Sequence, residues 1–494
     1  METPALPMPK DAQEKNILGE LTLIRDQLLL MKRDRSNYIR SQDVLPLYER
    51  VVEQVKQLNL IWKGAHPGET RLDRVLESCL QLLSLFFMTI GRKNETPAAY
   101  ALTSTIKRLL DHLGEASLFS AKDLDSMAST INDLDRIIKN QQSQSPYLLE
   151  LLANRQELCK TSLAQLRKRL EDLDEPILDI YERLISILRS MSRANTKATV
   201  CAHPSIAGED HICVSSNSAD MGGQFSEPEI LKLQAQLKEV AASQVDGQFL
   251  GEDGKVLAGS DKVAELLRRC LAWSDIVLER KGVMPEPFQD KYNTLLAIRN
   301  DLEKLSITQA WSLRETDLYD YQRELDKIDE SRVDGNFLDD EGRPAELYVQ
   351  RTLLYLIRRS YGYIYYLMIS SEPVSEALLP IYNQLQTLKR CLNEVKNSGG
   401  VGTVRELYPY SMKLTSIDNM RVDGKFMFGD DIPEGQGSVS GLLAECFDLC
   451  YELRIAADSE EQARGDVDDD DDDDDDRDDD EEDDGKSDDR VDDD

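Results

Sequence analysis

Apolar residues recur at three- and four-residue intervals through nearly every segment between turn signals, while two-residue alternation is almost absent. This spacing predicts an all-α chain. The stretch AELLRRCLAWSDIVL (264–278) aligns with LYLIRRSYGYIYYLM (354–368) at a shift of 90 residues, placing Cys270 over Ser360. VLESCLQLLSLFF (75–87) and LLAECFDLCYEL (442–453) share the pattern, with Cys79 and Cys446 at the same place. A second helix type carries Tyr48, Tyr181, Tyr292 and Tyr382, with Pro176, Pro287 and Pro373 near its start. A third type is expected to open with capping boxes at Ser120/Asp123, Ser226/Glu229, Ser312/Glu315 and Thr403/Glu406. Repeated helices of this kind bury their apolar faces by stacking on neighbours, so the expected architecture is an elongated helical array or two packed bundles.

A short loop punctuates the second half three times: SQVDGQFLGEDG (243–254), SRVDGNFLDDEG (331–342) and MRVDGKFMFGDD (420–431). Asp-Gly is a strong tight-turn signal, because glycine takes positive φ at no steric cost and aspartate tolerates it. A calcium loop would need oxygen ligands at fixed positions. Leu250 and Leu338 fall where ligands are required, and Lys425 would repel a cation. The loop therefore reads as a structural joint. Val245 and Phe249, Val333 and Phe337, and Val422 and Phe426 are expected to plug into the helical core. Between them Asp246-Gly247, Asp334-Gly335 and Asp423-Gly424 turn the chain. A peptide or small-ligand contact is the alternative.

These signals divide the chain into a flexible start (1–15), an N-terminal helical region (16–193), an insertion rich in small and polar residues (194–225), a C-terminal helical region with the three VDGxF loops (226–457) and an acidic tail (458–494). Insertion and tail are expected to be disordered. Duplicated helix pairs with Tyr48 and Tyr181, the R-V-D-G-x-F loops at Val333 and Val422, and PEGQG before the last helix resemble an uncharacterised fungal family, a duplicated domain of unknown function. The resemblance covers about residues 15 to 456. It implies a helical protein of the cytoplasm, with the nucleus as a second compartment, and supplies no catalytic residue and no activity.

Charge changes the picture of partners. The chain has a formal net charge of −34, and from Asp458 onward 25 acidic residues face four basic ones, leaving a body that is itself acidic. Such a body is a poor direct binder of nucleic acid, whose affinity comes from clustered Lys and Arg. The tail suits basic protein partners through long-range attraction. No secretory leader or membrane-spanning run is read in the sequence, and eight cysteines placed mostly singly in helical patterns fit a reducing compartment.

Candidate chemistry is sparse. Cys201, His203, His211 and Cys213 form a C-x-H…H-x-C arrangement that could surround zinc or copper, although structural zinc sites space their paired ligands more widely. PEGQGSVSG (433–441) opens a helix with glycines but lacks the Lys-Ser/Thr of a P-loop. Tyr355, Tyr361, Tyr363, Tyr365 and Tyr366 cover more than one helix face, so they are either core or the lining of a binding groove. Cys79, Cys270 and Cys446 read as small packed residues. Neither a nucleophile elbow nor a zinc helix nor a kinase set is found. The reading is a non-enzymatic scaffold or adaptor without a cofactor. A metal-responsive protein and a carrier with a tyrosine-lined groove are the alternatives.

Overall fold

The computed structural model describes residues 7–62, 70–140, 145–197, 226–251, 254–308 and 315–468. Among them are fifteen α-helices: α1 (Ala12–Arg33), α2 (Ser41–Trp62), α3 (Arg71–Thr89), α4 (Thr96–Ala116), α5 (Ala121–Asn140), α6 (Pro146–Glu171), α7 (Glu175–Lys197), α8 (Glu227–Ala242), α9 (Ser260–Arg280), α10 (Gln289–Thr308), α11 (Leu318–Glu330), α12 (Leu347–Ser370), α13 (Leu379–Asn397), α14 (Tyr408–Asp418) and α15 (Gln436–Asp468). Two-residue strands β1 (Arg421–Val422) and β2 (Lys425–Phe426) complete the set, and the fold is all-α as expected. No described helix is long and apolar enough to cross a membrane.

Helix order follows from which residues can be covered. In α1, Ile17, Leu21, Ile24 and Leu28 are buried on one stripe, the spacing of a helix with one dry face. Asp11 caps its start, accepting from the Gln13 N–H at 2.6 Å, while Lys32 and Arg33 fall in the last turn, where the helix dipole favours cations. By contrast α3, α4 and α12 bury residues on nearly every face. They form an inner layer: α3 packs on α1 and α4, α4 on α6 and α12, and α12 on α10, α11, α7 and α9.

The chain divides into two compact units, one of residues 1–380 and 426–438, the other of 381–425 and 439–494. The division falls away from the 194–225 segment, where a break between helical regions was expected. Helices on either side of that segment belong together, because α7 packs on α8 and α9 and all three contribute to one apolar core. Within the second unit, Leu385, Leu392, Leu414, Ile417, Leu442, Cys446 and Leu453 are buried. Lys389 pairs with Glu445 at 2.6 Å and Lys396 with Glu452 at 2.7 Å. Each pair lies one heptad from the other on its helix, so α13 and α15 run parallel. The last helix runs to Asp468, ten residues past the start expected for the acidic tail.

Expected capping boxes form unevenly. Ser120 and Asp123 make one, with the Ser120 N–H donating to Asp123 Oδ2 at 2.8 Å and the Asp123 N–H to Ser120 Oγ at 3.3 Å. Ser226 and Thr403 stand at helix starts without a side-chain cap bond, and Ser312 lies outside the described residues. An unanticipated pair, Thr70 and Asp73, opens α3, the Thr70 N–H donating to Asp73 at 2.8 Å.

Candidate functional site

The three VDGxF loops share one geometry. Asp246, Asp334 and Asp423 have φ of 51°, 50° and 50°, and Gly247, Gly335 and Gly424 follow at 78°, 79° and 77°. Two successive left-handed residues make a type I′ hairpin turn, the form that Asp-Gly favours. Val333 and Asn336 exchange both backbone hydrogen bonds at 2.9 Å, and Val245 and Gln248 do the same at 2.9 and 3.0 Å. Phe249, Phe337 and Phe426 are 2%, 0% and 1% exposed, whereas Val245, Val333 and Val422 are 55%, 52% and 58% exposed.

The expectation that both residues plug the core is therefore half wrong. A two-residue turn sets valine opposite the residue before phenylalanine. Successive side chains on a strand then point to opposite faces, so phenylalanine turns inward and valine outward. The inward backbone is clamped by the next helix. Gln350 Oε1 accepts from the Phe337 N–H and Gln350 Nε2 donates to the Phe337 carbonyl, both at 3.0 Å. Gln436 does the same for Phe426 at 3.0 and 2.7 Å, and Ser260 Oγ accepts from the Phe249 N–H at 2.7 Å. The glycine-bearing PEGQG entry is thus part of a joint. A Cβ on Gly435 would lie 2.8 Å from Val374 Cα.

The tyrosines of α12 point in several directions and tie neighbouring helices to it. The Tyr348 hydroxyl donates to Asn195 Oδ1 on α7 (3.1 Å), Tyr361 to Asp326 Oδ1 on α11 (2.8 Å) and Tyr363 to Glu303 Oε1 on α10 (2.7 Å). Tyr365 meets Thr130 Oγ1 on α5 at 2.8 Å, and Tyr366 is exposed. A polar cavity beside Tyr361 is lined by Glu77 and Gln81 of α3, Tyr100, Ser104 and Arg108 of α4, and Gln322 and Asp326 of α11. At about 20 Å³ it has room for roughly one water, too little for a substrate.

A chain of charge runs from this cavity to the second hairpin turn. Arg108 Nη1 lies 3.0 Å from Asp326 Oδ1. One turn on, Asp329 takes His112 Nε2 at 3.1 Å and Arg332 Nη2 at 2.7 Å, and Arg332 Nη1 reaches Glu115 at 2.5 Å and donates to the Gly335 carbonyl at 3.2 Å. Burial raises the pKa of Asp326 despite Arg108, and burial followed by the Asp326 charge puts that of Tyr361 well above the ordinary phenol value. Burial pulls Asp329 the same way, but the His112 hydrogen bond and the charges of His112 and Arg332 outweigh it and its pKa is lowered. Paired, buried charges of this sort fix helix positions.

An open groove of about 790 Å³ marks the second unit, lined by Arg405, Tyr408, Ser411, Phe447, Cys450, Tyr451 and Arg454 among others. Tyr408 and Met412 on α14 and Phe447, Tyr451 and Ile455 on α15 are exposed apolar stripes at four-residue spacing.

Residues 170–315 match a family described as a protein of unknown function (DUF2408). A Saccharomyces cerevisiae protein named "Cu(2+) suppressing and bleomycin sensitive protein 1" is 34% identical over 92% of this chain and 92% of its own length. A CUB1 family protein of Schizosaccharomyces pombe is 35% identical over 91% of this chain and 94% of its own. The chain belongs to the CUB1 family. No solved structure matches it.

In this CUB1-family chain, the candidate metal ligands Cys201, His203, His211 and Cys213 lie outside the described residues. Among the described residues, no group of three or more His, Cys, Asp or Glu could hold a metal ion. Cys79, Cys270 and Cys446 are fully buried, and burial pushes their thiols up to about 12, about 11 and about 11. The Cys79 and Cys446 thiols point at the Leu21 and Leu385 carbonyls. They pack helices and are poor nucleophiles.

Proposed function

We propose that the protein is a non-enzymatic helical scaffold or adaptor of the cytoplasm, with the nucleus as a second compartment, built from copies of a helical module joined by the VDGxF turns. The observation that supports this best is the use of the α12 tyrosines: four hydroxyls end on four neighbouring helices, and the cavity beside Tyr361 is the size of a water. Contact chemistry then belongs to surfaces. The groove of α14 and α15 suits an amphipathic helix, and Arg405 and Arg454 at its edge favour one with acidic flanks. The acidic C-terminal segment suits basic proteins. Titrating core histones into the full chain and into one ending at Asp468, at low and at high salt, tests the second surface. Retention by the full chain alone, lost at high salt, supports it; equal retention by both removes it. Replacing Tyr451 by serine then weakens capture of helical partners while leaving histone retention unchanged.

The second reading is a metal-responsive protein acting through Cys201, His203, His211 and Cys213 with zinc or copper. It is favoured by the name of the Saccharomyces cerevisiae relative, which refers to Cu(2+), and by a donor set of two thiols and two imidazoles. Titrating Cu⁺ and Zn²⁺ into the full chain and into a variant with Cys201→Ser and Cys213→Ser decides it. Equal binding by both ends the reading.

A further inference from the structure

We propose that a cleft among α7, α9 and α12 binds an oxyanion of the phosphate class. Arg269 and Trp273 of α9, Arg351 and Arg358 of α12 and Ser192 of α7 line it, together with Leu118, Leu188 and Leu266. The chain as a whole is strongly acidic, yet among the described residues none of these three arginines has a carboxylate within ion-pair distance. Glu115, the acid whose charge acts on Arg358, is itself paired with Arg332 at 2.5 Å. Arg351 and Arg358 are partly buried without an ionic partner, which costs free energy unless an anion joins them.

Two further observations point to a ligand. Trp273 is 1% exposed and its Nε1–H has no hydrogen-bond partner, an orphan donor in a cleft of cations. Arg351 stacks over the Trp273 ring at 5.4 Å and reaches the Arg269 carbonyl only at 3.4 Å, leaving most of its donors unused. Burial lowers the pKa of Arg351, with Arg269 adding to the effect, and burial takes that of Arg358 down to about 10. An incoming anion would reverse both shifts.

The enclosed part holds about 20 Å³, room for roughly one water, so a single oxygen of the anion enters it and the rest of the group lies at the open mouth. Three guanidinium forks and an indole N–H match a tetrahedral phosphate, whose oxygens accept two donors each, better than they match a single carboxylate. Arg269 is exposed and opens the cleft to solvent.

Calorimetric titration of the full chain with inorganic phosphate, with glycerol 3-phosphate and with sodium chloride at matched ionic strength tests this. Saturable one-site binding of phosphate, weakened at least about tenfold by Arg358→Gln and by the exposed Arg269→Gln, is the expected result. Binding of glycerol 3-phosphate tighter than phosphate assigns the site to phosphate esters, and the reverse to the free anion; both support an oxyanion site. Thermal melts of the variants separate lost binding from lost folding, Arg269→Gln being the one expected to melt as the parent does. No saturable binding, binding unchanged by both substitutions, or tight binding only of a poly-aspartate peptide overturns the proposal.

Discussion

Replacing Phe337 by alanine and, separately, Val333 by alanine tests the hairpin joint most directly, because the two residues lie four apart and face opposite ways. Phe337 is fully buried within the core of the first unit, whereas about half of Val333 is in water. Emptying a buried phenylalanine site costs about 3–5 kcal/mol, from lost transfer free energy and the cavity left behind. Trimming an exposed valine changes stability by no more than about 0.5 kcal/mol. Gln350→Leu falls between them: it leaves the Phe337 N–H and one acceptor of its carbonyl without the amide clamp, for about 1–3 kcal/mol. With two compact units in the chain, denaturant unfolding need not be two-state. Hydrogen exchange of α11 and α12 amides is therefore measured beside the urea midpoint. Faster exchange in both helices for Phe337→Ala, and parent-like exchange for Val333→Ala, is expected. A valine variant as damaging as the phenylalanine variant would refute the assignment of faces.

Burial raises the pKa of Glu315 although its own backbone N–H and the Ser371 and Thr89 hydroxyls oppose the shift, and its Oε2 has no hydrogen-bond partner. A carboxyl raised in the folded state gives its stability below the unfolded pKa of about 4.3 and loses it as pH rises through the folded value. Glu315→Gln should therefore stabilise the fold at pH 7 by about 1 kcal/mol, read as a higher melting midpoint, and change it little at pH 4; equal gains at both would contradict this. Gly435→Ala should destabilise the first unit by about 2 kcal/mol or more, since φ is +95° and the new methyl meets the backbone of Pro373 and Val374; an unchanged melt would show that this contact relaxes freely. Among the described cysteines, the exposed Cys391 should react with a maleimide first and buried Cys79, Cys270 and Cys446 only on unfolding, as mass spectrometry of timed samples would show.

Helix positions were legible because each amphipathic stripe is a local property, and the three bends were legible because Asp-Gly specifies a turn within four residues. The outward valines were equally within reach: a two-residue turn and a period of two settle which side chain faces in. The helix partners were not. Tyr348 meets Asn195 and Tyr361 meets Asp326, and in a chain that is 31% charged nothing local distinguishes Asp326 from dozens of other carboxylates. The arginine cleft was half visible. Aligning the stretch around Cys270 with that around Ser360 superimposes Arg268-Arg269 on Arg358-Arg359, but only the fold brings Arg269, Arg351 and Arg358 to one cleft. The acidic run beyond Asp458 was read as tail from its charge, yet Leu453 and Ala457 are buried, and a helix held by those residues carries its backbone pattern on to Asp468.

The arrangement around α12 constrains where function can lie. A helix whose hydroxyls reach α5, α7, α10 and α11 cannot move one neighbour without breaking bonds to the others, so that region resists the opening that a lid or a buried active site needs. The hydroxyls of Tyr348, Tyr361, Tyr363 and Tyr365 are each matched by a partner, which stabilises the layer and removes them as free donors for a substrate. Among the described residues, features without partners are of another kind: apolar stripes on α14 and α15 and three guanidinium groups beside Trp273. Each is a surface that gains free energy only when something outside the described fold arrives. The proposed scaffold role draws its support from that combination of a rigid centre and unmatched surfaces, because partners held on a deformable body would lose the fixed geometry between them.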